Sequence, residues 1–104
     1  MKEPVSTLTL EGKLVRKKRV VVGVCPQLSV GSQGYSEEEA RRNLAEAVRI
    51  FLEETARMGT RNKVLKEGGL PSIEGEQPLV VKIVFRDSPD LVLTTSIRNA
   101  PDYA

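Results

Sequence analysis

The sequence predicts an α+β fold: a small antiparallel sheet in β-β-β-α-β-β order, with one long helix packed on one face. Three observations carry this expectation. Residues 37–58 place apolar side chains at helical spacing behind a strong capping signal. Strand-forming runs precede that stretch, and two more, Leu79–Phe85 and Leu91–Ile97, follow it.

The first strand is expected over Val5–Val15, with Val5, Thr7, Thr9 and Glu11 on one face and Leu8, Leu10 and Leu14 on the other. Gly12 interrupts the alternation and suggests a bulge. Arg16, Lys17, Lys18 and Arg19 form a basic hairpin turn whose ordinary reading is solvation; the alternative is contact with an anion or RNA. Val20–Val24 is a continuous apolar run, expected as a central strand covered on both faces. Pro26 cannot donate to a ladder, so regular pairing should stop there, while Leu28 and Val30 turn into the core. Gly31 and Gly34 have the spacing of part of a phosphate loop but lack its further glycine and lysine, so a short strand with a tight turn into the helix is expected.

Ser36 is placed to cap the helix, and Glu39 can reach back to the Ser36 amide. Ala40, Leu44, Ala47, Val48, Phe51 and Leu52 form the buried stripe; Glu38, Arg41, Arg42, Glu46, Arg49 and Glu53 take the other face. Gly59 suits the C-terminal cap, with Arg57 in the last turn. Residues 60–78, rich in glycine and proline, are expected as a flexible loop, with Asn62–Lys66 long enough for one unsecured helical turn. A C-terminal β-hairpin is expected over 79–98, turning at Arg86–Asp90, before a frayed tail.

A chain of 104 residues makes one domain, 1–104, with one modest core. No apolar run approaches the roughly 20 residues that span a bilayer, and the N-terminal residues lack a signal core, so no membrane contact and a cytoplasmic location are expected. One cysteine and no histidine leave neither an internal disulfide nor a plausible zinc site, and no cofactor is implied. Asp87 and Asp90 read as turn residues, not as a metal site. The 16 basic and 14 acidic residues nearly offset each other, and a net charge of +2 does not by itself argue for nucleic acid.

Without histidine, a serine or cysteine nucleophile lacks its usual activator, so catalytic residues are not expected and the protein is read as a non-enzyme. Cys25 reads as a small buried hydrophobe. Glu37–Glu39 are accounted for by the helix dipole rather than by catalysis. Tyr35 has two readings: a ring packed over the glycine turn, or a ligand contact. One helix covers only one sheet face, so a homodimer or higher homo-oligomer burying the open face or an edge is expected.

Cys25-Pro26, Leu28, Val30, Ser32-Gln33-Gly34, Ser36, Glu38-Glu39-Ala40, Asn43, Glu46 and Ala47 follow one another in a pattern that resembles the HicB-like antitoxin family. The resemblance covers roughly residues 5–58. It implies a partly degenerate RNase-H-like module without nuclease activity, which binds a small mRNA-cleaving toxin of the HicA type and blocks its active site. Partner contacts would fall on Pro26, Leu28, Gln33, Gly34 and Tyr35. Glu37–Glu39, Glu46 and Glu53 would offer charge to a basic toxin.

Many family members also carry a DNA-binding helix-turn-helix or ribbon-helix-helix segment. Here the residues after the helix read as a loop and two strands, which leaves no place for a recognition helix. The basic turn Arg16–Arg19 also replaces the glycine-acidic turn frequent in the family. The runner-up reading is an orphan interaction module without a toxin, binding RNA or a small ligand.

Overall fold

Alternating leucines and polar residues commit the first strand to one buried face. In the computed structural model, which describes residues 6–73, 79–86 and 88–97, Leu8, Leu10 and Leu14 of β1 (Ser6–Arg16) are buried. Thr7, Thr9 and Lys13, on the other face, are exposed. β2 (Val21–Cys25) and β3 (Val30–Gly34) follow as an antiparallel hairpin, then α1 (Glu37–Met58) and a second helix, α2 (Arg61–Glu67). β4 (Leu79–Phe85) and β5 (Ser88–Ile97) form the antiparallel hairpin expected from their composition. The fold is α+β, with one five-stranded sheet in the order β3-β2-β1-β4-β5 and α1 lying on it.

The sheet is mixed rather than wholly antiparallel. β1 pairs with β2 antiparallel, but Ser6–Gly12 pairs with Leu79–Phe85 in parallel. A parallel neighbour needs a long crossover connection, and the chain between β1 and β4 contains one, because α1 carries it across the sheet face before β4 enters beside β1. Leu79, Val81, Ile83 and Phe85 then join the leucines of β1 against Ala40, Leu44, Val48 and Leu52 of α1 in one core.

Gly12 produces no bulge. It stays in register opposite Phe85, where a β-carbon would stand 2.6 Å from the Phe85 ring, so glycine is required by close packing. The irregular step lies instead at Val84/Phe85, where β4 meets β5. Nor is β2 covered on both faces. Gly23 faces α1, its missing β-carbon 3.2 Å from the Leu44 side chain, so Val22 and Val24 turn to the opposite face, where they are half-buried.

The cap forms with one change of partner. Ser36 Oγ accepts from the Glu39 amide at 3.0 Å, while the Glu39 carboxylate accepts from the Tyr35 amide at 2.6 Å rather than from Ser36. Gly59 closes the helix at φ 78°, a backbone angle suited to glycine. Arg41 does not stand on the solvent face as the periodicity suggests. Only 12% of its side chain is exposed, and its guanidinium lies 5.6 Å from the Phe85 ring centre.

Residues 60–78 are not one continuous loop, since α2 occupies Arg61–Glu67 and buries Leu65. The Asn62 carboxamide donates to the Ile73 carbonyl at 3.0 Å and accepts from the Ile73 amide at 2.8 Å, which pins the chain beyond the helix. The flexible-loop expectation for residues 74–78, that of a frayed tail over 98–104 and the turn residue Asp87 lie outside the described residues. Among the described residues, no helix is long and apolar enough to cross a membrane.

Candidate interaction surface

The hairpin register sets where the expected contact residues stand relative to one another. Cys25 opposes Val30 at one end of the β2–β3 pair, and Val21 opposes Gly34 at the other. Pro26 and Leu28 therefore sit roughly 13 Å, four strand residues, from Gln33, Gly34 and Tyr35. The five residues are divided between the two ends of the hairpin and are not gathered in one cluster. Because Arg16 opposes Val21, the turn Arg16–Arg19 instead joins the Gly34–Tyr35 end.

At that end, most of the patterned residues serve the fold. Gly34 is buried because α1 starts directly above it: a β-carbon there would lie 2.7 Å from the Ala40 amide nitrogen. Asn43 Nδ2 donates to the Gln33 carbonyl at 2.8 Å, tying edge strand β3 to the helix. Arg16 Nε donates to Glu37 Oε2 at 2.5 Å, and Arg41 also meets Glu37 at 3.4 Å. What projects outward is Tyr35, 83% exposed, together with Lys17, Lys18 and Arg19, held by a turn in which the Lys17 amide donates to the Val20 carbonyl at 2.8 Å. The Tyr35 ring stands in solvent and is not packed over the glycine turn.

The other end is a groove of about 520 Å³ between the Pro26–Ser29 turn, Phe51 of α1 and Val64 and Glu67 of α2. Leu28 is buried in its wall, and Pro26 is exposed. Ser29 holds φ 57°, a left-handed angle that costs a non-glycine residue on the order of 1 kcal/mol. Gln27 locks the turn, its Oε1 accepting from the Glu11 amide at 2.8 Å and its carbonyl packed against Gly68, where a side chain would collide with it. Sequence reasoning missed the α2 wall. The only signal was the short helix-compatible run Asn62–Lys66.

The carboxylates of α1 are largely neutralised in place. Arg49 reaches Glu46 at 2.6 Å and Glu53 at 2.9 Å, and Arg57 pairs with Glu54. The helix therefore offers a laced surface of both signs, with less free negative charge than its glutamates suggest.

Cys25 is fully buried, and burial pushes its thiol above the ordinary value of 9.0, so it stays protonated and a poor nucleophile at neutral pH. Glu11, on the exposed sheet face, is held below the usual carboxylate range by its hydrogen bond from Arg86, whose Nε lies 2.6 Å away. Among the described residues, no three histidine, cysteine, aspartate or glutamate side chains are grouped to hold a metal. The arrangement offers recognition surfaces: a projecting aromatic beside a basic turn at one end, and a half-apolar groove at the other. No protein-family model matches the chain, and comparison with curated proteins and with solved structures returns no match.

Proposed function

We propose that the protein is a non-catalytic antitoxin of the HicB-like type, which binds and neutralises a small mRNA-cleaving toxin. The observation that carries this reading is the dense agreement from Cys25 to Ala47 with the pattern of that family. Its placement on the surface follows from Tyr35. The surrounding pattern residues are consumed by the strand-to-helix junction, and an 83% exposed tyrosine on a rigid, capped turn has the character of an interface anchor. The test is co-expression with the product of the adjacent gene. Restored growth and co-purification are expected, and failure of both would sink the reading.

One observation favours a second reading, RNA binding by an orphan module. The fold brings Lys17, Lys18 and Arg19 beside Tyr35, and exposed cations next to an aromatic ring suit a single strand whose bases can stack. Oligonucleotide titration at two salt concentrations decides it, using the native protein and a variant with Arg16–Arg19 changed to serine. Salt-dependent affinity lost in the variant supports RNA contact, and no salt-dependent binding in either protein removes it.

A further inference from the structure

The two edges of the sheet are treated differently. β3 is short, and its Gln33 carbonyl is occupied by the Asn43 side chain. Where β1 extends past β2, the Glu11 amide is occupied by the Gln27 side chain. Side chains thus blunt these unpaired strand groups. β5 is long, occupies the other edge, and carries no charge over Leu91–Ile97. Among the described residues, no side chain bonds to its outer backbone groups. Edge strands ordinarily carry lysine, proline or a covering element against unwanted pairing. Pro89 stands only at the beginning of β5.

The register shows which groups are left open. The Arg86 amide donates to the Gly12 carbonyl at 3.3 Å, so even-numbered residues of β4 direct their backbone toward β1 and odd-numbered ones toward β5. Val81 and Thr95, and Ile83 and Leu93, are then the hydrogen-bonded pairs of the β4–β5 ladder. Val92, Thr94 and Ser96 therefore turn their N–H and C=O groups to the outside.

We propose that this edge is a homodimer interface, in which β5 of a second copy pairs antiparallel with β5 about a two-fold axis at Thr94. Val92 then opposes Ser96 of the second copy, Thr94 opposes its own equivalent, and each pair exchanges both of its N–H···O bonds. A second copy fits because the strand is its own complement. Two-fold pairing at Thr94 matches the open backbone groups of Val92, Thr94 and Ser96 with those of the other chain, brings no charge opposite a like charge over Leu91–Ile97, and keeps both core faces on one side of a continuous sheet. Val92, 43% exposed beside Val84, gains cross-strand neighbours on the open face. The proposal does not depend on the antitoxin reading.

Light scattering and sedimentation of the full chain over a wide concentration range test it, with two variants. Thr94→Pro removes the outward N–H while leaving the β4 ladder its bonds, and should weaken dimerisation roughly tenfold or more. Thr94→Cys should crosslink two chains under mild oxidation, since directly opposed hydrogen-bonded residues have α-carbons about 5.5 Å apart, within disulfide range. The native Cys25 is fully buried and supplies no competing thiol. This crosslink also decides the matter if Thr94→Pro fails to fold. A protein that stays monomeric, a dimer that a folded Thr94→Pro variant leaves intact, or crosslinking through Thr9→Cys on the open face in place of Thr94→Cys would overturn the proposal.

Discussion

Gly34 belongs to the patterned stretch and was expected at a partner contact, yet it lies buried beneath the first turn of α1. The change Gly34→Ala separates the two roles. Its β-carbon would stand 2.7 Å from the Ala40 nitrogen and 2.9 Å from the Glu39 carbonyl carbon and β-carbon. Two of these neighbours are backbone atoms of a capped helix, so the start of α1 must lift away from β3. Overpacking of this kind costs about 1–3 kcal/mol, and the absence of a soft neighbour places this case near the top of that range.

Replacing glycine also restricts the unfolded chain, which returns about 0.4–1 kcal/mol, so the net loss should be about 2 kcal/mol. In a chain of this size that corresponds to a fall in melting temperature of about 10 °C. Gly31 in the same strand is the control. Its added β-carbon meets only the Gly23 carbonyl oxygen, at 3.4 Å, an ordinary contact, and Gly31→Ala should stay within about 0.5 kcal/mol of the native protein. Urea titration followed by circular dichroism measures both. A Gly34→Ala variant as stable as the native protein, or equal losses in the two variants, would refute the close approach of helix and strand.

Three further outcomes are expected. Asn62→Ala strips both part-buried backbone groups of Ile73 of their partner, which should cost about 1–2 kcal/mol, with hydrogen exchange at Ile73 accelerating ahead of exchange in β1 and β4. The Cys25 thiol titrates higher in the folded chain than in the unfolded one, so its contribution is fully present below pH 9.0 and is lost as pH rises toward the folded value. Alkaline urea titrations should therefore show native stability falling above pH 9, and thiol reagents should react only on unfolding. Tyr35→Ala should leave stability within about 0.5 kcal/mol while weakening toxin binding by about 2 kcal/mol or more, as calorimetry with the purified pair would show.

Local signals in the sequence carried the strands and the long helix, because each was stated within a few residues. The leucine alternation of β1, the Ser36 cap, the Gly59 stop and the β4–β5 hairpin all appear in the structure. Features set by distant parts of the chain were not legible. The parallel β1–β4 pairing depends on where α1 delivers the chain, and α2 depends on the Asn62–Ile73 bonds and on Gly68 against Gln27. Arg41 reads as a surface residue by periodicity but is drawn over the Phe85 ring, and the bulge expected at Gly12 is replaced by contact with that same ring.

The candidate surface was legible in its residues and not in its grouping. Pro26, Leu28, Gln33, Gly34 and Tyr35 are close in sequence, but an intervening strand holds them at opposite ends of the hairpin. Arg16–Arg19, distant in sequence from Tyr35, arrives beside it through the β1–β2–β3 register. The burial of Gly34 follows from the helix N-terminus closing over it, a contact between backbones that residue type alone does not announce.

The proposed action of this chain is to occupy a toxin rather than to perform chemistry of its own. Its most direct test is mRNA cleavage by the purified product of the adjacent gene, followed as increasing amounts of this protein are added. Cleavage should fall in proportion to the protein added and stop at a fixed stoichiometric ratio, with Tyr35→Ala shifting the curve to higher concentration. Cleavage that continues unchanged at saturating amounts of native protein would contradict it.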